Sequence, residues 1–168
     1  MQLPKEAILA VAIFAAVGCG LMGGLLFAFS NCVMTALSHQ PAASAMRTMQ
    51  AINVYILNPV FFVVFLGTAV ASLALVVTAM LGLSNPGASL LLAGSVAYLV
   101  GAVGVTMVFN VPLNDRLQRQ DPSAAEAAQY WLGYVSEWVK WNHVRTIASL
   151  LATVLLILAI RQFQVAAE

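Results

Sequence analysis

The chain has 168 residues, of which 62% are hydrophobic and only 8% charged, with a net charge of +1. An ordinary soluble domain carries about 25% charged residues, whereas no Asp, Glu, Lys or Arg occurs between Arg47 and Asp115. The composition therefore excludes a water-soluble globule, near-neutrality removes any electrostatic case for nucleic acid, and a single integral membrane domain over residues 1–168 is expected.

A membrane span needs about 20 apolar residues. Ala7–Phe29 supplies the first, and its helix can run on to Leu37. It is longer than a signal-peptide core and no small-residue cleavage site bounds it, so it is read as a retained helix. Cys19 and Cys32 lie in this run. On one helix they are about 20 Å apart, beyond disulfide reach, and both read as small apolar fillers. Gly20 and Gly24 form a small-xxx-small pair suited to close helix packing.

The connection that follows contains a helix-forming stretch, Ala42–Leu57, with Pro59 marking its end or a kink. Val60–Leu81 is the second span. Gly82, Ser84, Asn85, Pro86 and Gly87 then signal a tight turn, and Ala88–Phe109 is the third span. The next connection, Asn110–Arg145, includes Asp121-Pro122-Ser123 with Glu126, a helix-start pattern. No proline follows, which predicts one long helix from about Ser123 to Gln162 that contains the fourth span, Thr146–Ile160. The expected fold is all-α: an up-down-up-down four-helix membrane bundle with helical extensions on one side. The long connections carry Arg47, Arg116, Arg119, Lys140 and Arg145, a positive-inside bias that places them in the cytoplasm. The fourth span covers only about 22 Å, so either the bilayer thins around it or Arg145 and Asn142 lie at membrane depth inside the bundle.

Polar residues gather at the end of the bundle where these connections lie. With Trp138 at zero on a helix of about 100° per residue, Trp131 falls near +20°, Tyr134 near −40°, Trp141 near −60°, Asn142 near +40°, Arg145 near −20° and Ser149 near +20°. All three tryptophans share a face with an Asn and an Arg. Membrane-interface anchoring explains Trp and Tyr in general, but anchoring does not require them to share a face with Asn142. His143 falls near +140°, off the stripe. His39 follows the first helix. Neither belongs to a metal-binding pattern, so no metal site is expected.

Pro112 perturbs the third helix after Asn110, and Asn110, Asn114 and Asp115 are expected to face Arg145 across a pocket. Met46, Met49, Gln50 and Asn53 share one side of the Ala42–Leu57 helix, and Ser30 and Asn31 sit at the same end of the first. Such a pocket suits a flat, apolar molecule bearing a few oxygens, such as a phenol or a quinone-like ring.

Several segments carry a resemblance: Phe27-Ala28-Phe29-Ser30 with Val33-Met34 and Ala36-Leu37, Met49-Gln50-Ala51-Ile52-Asn53 with Asn58-Pro59, Phe109-Asn110-Val111-Pro112-Leu113-Asn114, and Trp138 with Trp141-Asn142-His143-Val144-Arg145-Thr146. Together they resemble the anthrone oxygenase-like family of small four-helix membrane proteins, some of which oxidise an anthrone to an anthraquinone with dioxygen. The resemblance implies a multi-pass protein, expected in a bacterial inner membrane, with dioxygen as co-substrate and no bound cofactor.

Under that reading Trp138, Trp141 and Tyr134 hold the ring, with Asn31, Gln50 and Asn53 as further binding residues. Arg145 with Asn142, Asn110 or Asn114 stabilises the oxyanion, and Asp115, His143 or His39 is the base. Two alternatives stand beside it: a non-catalytic protein holding a quinone, lipid or partner helix in the same pocket, and a structural bundle whose amides only tie helices together. The sequence leaves open whether the chain is an enzyme and whether it forms a homo-oligomer.

Overall fold

Apolar runs placed in lipid leave backbone groups no partner but each other, so a spanning chain of this composition must be helical. The computed structural model describes residues 4–82 and 86–165. Among these there are five helices and no strand: α1 (Lys5–Ser38), α2 (Ala42–Tyr55), α3 (Pro59–Leu81), α4 (Ala88–Gln118) and α5 (Ala127–Val165). α1, α3, α4 and α5 are each long and apolar enough to cross a membrane. α1 packs on α3 and α5, and α4 packs on the same two, which closes the expected four-helix bundle.

Local chemistry sets the helix ends. Asn58 joins α2 to α3. Its Oδ1 accepts the Phe61 N–H at 3.1 Å and its Nδ2 donates to the carbonyls of Tyr55 and Ile56, while Pro59 takes the first helical position, where its missing N–H costs nothing. Pro59 thus starts a helix rather than kinking one. Ser84 and Asn85 of the expected turn lie outside the described residues. Gly87, just after them, adopts φ 81°, which glycine tolerates without penalty.

Two expected boundaries are corrected. α4 does not end at Phe109 but continues through Pro112 to Gln118. It does so by widening into π-helical turns over Ala97–Gly104 and Thr106–Asn110, the second directly before the proline that lacks a ladder N–H. α5 begins at Ala127 rather than Ser123. Asp121 Oδ1 accepts the Ser123 N–H at 2.8 Å and Asp121 O accepts that of Ala124 at 3.1 Å, so the acid builds a turn instead of capping a helix.

The molecule has two apolar cores in line. The larger runs through the bundle and includes Ala12, Cys19, Met22, Phe65, Leu75, Leu91, Tyr98 and Leu156. The second lies beyond it, where the ends of α1, α4 and α5 gather around α2, and includes Met34, Met46, Met49, Leu117, Trp131, Tyr134 and Trp138. At 39 residues, or about 58 Å, α5 serves both. Both cysteines are free, Cys19 buried and Cys32 exposed.

Helices approach most closely at glycines other than the expected pair. Gly24 faces open space and a Cβ on Gly20 would make only ordinary contact with Thr153. A Cβ on Gly18 would overlap Thr68, one on Gly101 would overlap Ala148, and one on Gly23 would sit 2.8 Å from Leu150 Cδ2. We therefore expect Gly101→Val to destabilise the bundle by about 1–3 kcal/mol through overpacking, seen as a lower unfolding midpoint in detergent. Gly24→Ala should stay within about 0.5 kcal/mol of the parent.

Candidate functional site

The face predicted on α5 is the face that α5 buries. Trp131, Tyr134, Trp138, Asn142, Arg145 and Ser149 are all buried, while His143 is exposed. Trp131 stacks on Tyr134 with ring centroids 5.5 Å apart. Trp141, at the edge of the stripe, is half-buried and stacks on Phe109 of α4 with centroids 3.5 Å apart.

Arg145 is 6% exposed. Its Nη2 donates to Asn142 Oδ1 at 2.6 Å and its Nη1 to Thr106 Oγ1 at 3.2 Å. The guanidinium also lies over the Trp138 ring, 5.2 Å from its centroid, a favourable cation–π placement. Nε has no hydrogen-bond partner among the described residues. The one ion pair among them is Lys140–Glu137, on the surface of α5, so the buried guanidinium has no carboxylate beside it. Buried charge is normally paired, and a cation inside a membrane bundle with neutral partners alone points to a ligand or pathway.

Asn142 fixes that guanidinium from behind. Its Nδ2 donates to the Leu26 carbonyl at 2.7 Å and to Ser30 Oγ, and its Oδ1 is thereby left for Arg145. This ties α1 to α5 where α1 passes from α to π register over Phe29–Val33. α4 supplies a second amide pair. Asn110 Nδ2 donates to the Trp138 carbonyl at 3.3 Å, and Asn114 Oδ1 accepts both Tyr134 Oη–H and Trp138 Nε1–H at 2.9 Å. One carbonyl thus orients two aromatic side chains, of which Trp138 stands against Arg145.

These groups border a cavity of about 480 Å3 at the junction of the two cores. Its walls are mostly apolar: Met22, Leu25 and Phe29 of α1, Met49 and Ile52 of α2, Phe61 and Phe65 of α3, Met107 of α4 and Trp138 of α5. The polar groups in the lining are Asn53, Thr106, Asn114, Asp115, Gln118 and Arg145. Asn53 Nδ2 is buried and without a partner among the described residues. Mostly apolar walls with a few placed donors, in a volume of this order, describe a small-molecule site.

The structure brings Arg145, Trp138, Asn114, Asp115 and Asn53 to this cavity, with Tyr134, Asn142 and Asn110 supporting them from behind. It does not bring the other candidates there. Asn31 is exposed on α1; the residue of that turn which faces α5 is Ser30. Gln50 Nε2 instead closes the end of α4 by donating to the carbonyls of Leu117 and Gln120 at 2.9 and 3.0 Å. Trp141 is taken up by Phe109. His143 points outward, and His39 is exposed with its Nδ1 2.8 Å from the Thr35 carbonyl. Of the three residues considered as a base, only Asp115 lines the cavity. Sequence reasoning missed Thr106, although it sits four and eight positions before Asn110 and Asn114. It also missed the phenylalanine wall, where Phe61 and Phe65 stack at 5.4 Å.

Fold and site together define a polytopic α-helical membrane protein with an aromatic, cation-bearing cavity near one end of its bundle. A family model described as anthrone oxygenase matches residues 60–155, more than half of the 168-residue chain. The chain belongs to this family, which points to an oxygenase-like role. Comparison with curated proteins and with solved structures gives no match.

Because Asn114 Oδ1 serves two buried donors, Asn114→Leu should cost about 1–3 kcal/mol by leaving both unpaired. Asn114→Asp keeps an acceptor and should recover most of that loss. The unfolding midpoints of both variants in detergent check this.

Proposed function

We propose that the protein oxidises a flat aromatic of anthrone type with dioxygen, and that Arg145 stabilises the oxyanion formed when the substrate loses a proton. The observation that carries this reading is the buried guanidinium lining an aromatic-walled cavity, with Nε unpartnered and no carboxylate paired to it among the described residues. An anthrone carries an acidic CH2 across the ring from its carbonyl. Asp115 takes the proton, and the charge moves onto the carbonyl oxygen. Donors already aimed at that oxygen stabilise the charge with little reorganisation. The electron-rich anion then reduces dioxygen, a carbon–oxygen bond forms at the former CH2, and the hydroperoxide loses water. The net change is CH2 plus O2 to C=O plus H2O.

Trp138 and the phenylalanines of α3 hold the ring plane, and Asn142 acts as a positioning residue through Arg145. A second reading, a quinone-holding protein without turnover, draws on Asp115. This carboxylate, the one acid in the described lining of the cavity, is exposed rather than buried.

Dioxygen uptake by detergent-purified protein given an anthrone separates the two. Wild type should exceed the spontaneous rate. Arg145→Ala should lose about 100- to 1,000-fold of the enhancement, the range for removing one oxyanion donor, while remaining folded. Asp115→Asn should lose about 100-fold or more, as for a general base. No enhancement by wild type, or full activity in Arg145→Ala, overturns the reading.

A further inference from the structure

The cavity has two different rims. One is polar, formed by the exposed Asp115 and Gln118 near the end of α4. The other is apolar and lies between α3 and α4, where Phe62, Leu66, Met107 and Val111 line the cavity and are also 36–57% exposed on the outer surface of the bundle, and it continues around the end of α2, where Val54 and Leu57 line the cavity and are 55% and 59% exposed. A residue that both lines a cavity and faces outward marks an opening. Phe62 and Leu66 lie in the first two turns of α3, a helix without a single charge, so their outward faces meet lipid rather than water. The separation has a structural cause. α3 packs on α4 along Ala88–Gly104, but from the π segment Thr106–Asn110 onward α4 turns to α5 and α2.

We propose that ligand enters and leaves this cavity sideways from the bilayer, between α3 and the second half of α4, so that its substrates are uncharged ring compounds dissolved in the membrane. The inference takes from the proposed function only that the cavity receives a flat apolar molecule. The apolar rim admits a ring with its oxygens still neutral, and Arg145, inside, is the first cation it meets. The polar rim serves water and protons, which the apolar rim repels.

The test reads access rather than turnover. Met22 lines the cavity and is 3% exposed. Met22→Cys, in a chain carrying Cys19→Ala and Cys32→Ala, provides a deep thiol. A second chain that keeps only the exposed Cys32 provides the control. Both are reconstituted in phosphatidylcholine vesicles and treated with pyrene maleimide, which partitions into lipid, or with a sulfonated maleimide confined to water. Relative to Cys32, the deep thiol should react faster with pyrene maleimide than with the sulfonated reagent. Leu66→Trp with Met107→Trp should slow the pyrene reaction roughly tenfold, about 1.4 kcal/mol of added barrier, and leave Cys32 unchanged. Leu66→Ala with Met107→Ala should speed it, which guards against misfolding of the tryptophan pair. A deep thiol reached equally well from water, reached by neither reagent, or indifferent to both pairs overturns the proposal. A protein that behaves as expected here but consumes no dioxygen loses only the oxygenase reading.

Discussion

A guanidinium buried without a carboxylate organises this molecule. A central arginine costs at least about 2.5–3.5 kcal/mol on membrane-insertion scales, and among the described residues Arg145 is compensated by Asn142 Oδ1, Thr106 Oγ1 and the face of Trp138. Those partners belong to α4 and α5, and Asn142 is anchored in turn to α1 through Leu26 and Ser30. Three of the four spanning helices thus meet at one charge, through neutral groups that orient it without neutralising it. A carboxylate in their place would have satisfied the arginine and ended its capacity to hold an anion.

Two of the three π-helical stretches among the described residues fall at this height. Phe29–Val33 and Thr106–Asn110 are both π-helical, and each supplies a hydroxyl to the cluster, Ser30 to Asn142 and Thr106 to Arg145. Wide turns of this kind recur at functional positions. Here they lie at the boundary between the two cores, where regular packing gives way to the cavity. The cavity thus lies between the bundle core and the α2-centred core and borrows walls from both.

Much of this was legible in the sequence, for identifiable reasons. The second and third spans follow from the absence of charge between Arg47 and Asp115, and the first and fourth from apolar runs of their own, since lipid leaves little choice of structure. The α5 stripe follows from the regular period of a long unbroken helix, which is why Trp131, Trp138, Asn142 and Arg145 emerged on one buried face and His143 off it. The errors fall where the period fails. From Ala97 to Asn110 α4 widens into π turns, and Pro112 with its polar neighbours made the helix look finished at Phe109 when it runs on to Gln118. Asn31 and Ser30 are adjacent in a π turn, and composition alone does not tell which of them faces inward. Gln50 looked like a ligand-binding amide because the two carbonyls it satisfies, Leu117 and Gln120, are far away in the chain and belong to a helix end the sequence did not place. The cavity itself is a property of how α3 and α4 part, which no local pattern encodes.

α3 stands apart from the other long helices in one respect. α1, α4 and α5 all contribute to the second core, whereas among the described residues α3 contributes none and begins at Pro59 beside it. Its outward positions at that end that also line the cavity, Phe62 and Leu66, are exposed apolar residues whose size is constrained by no second layer of packing. Side chains there can be exchanged for larger or smaller ones at little cost to folding. The bundle thus separates the residues that hold its shape from those that set the outline of one side of its cavity, and ligand preference can diverge among related chains while the architecture stays fixed.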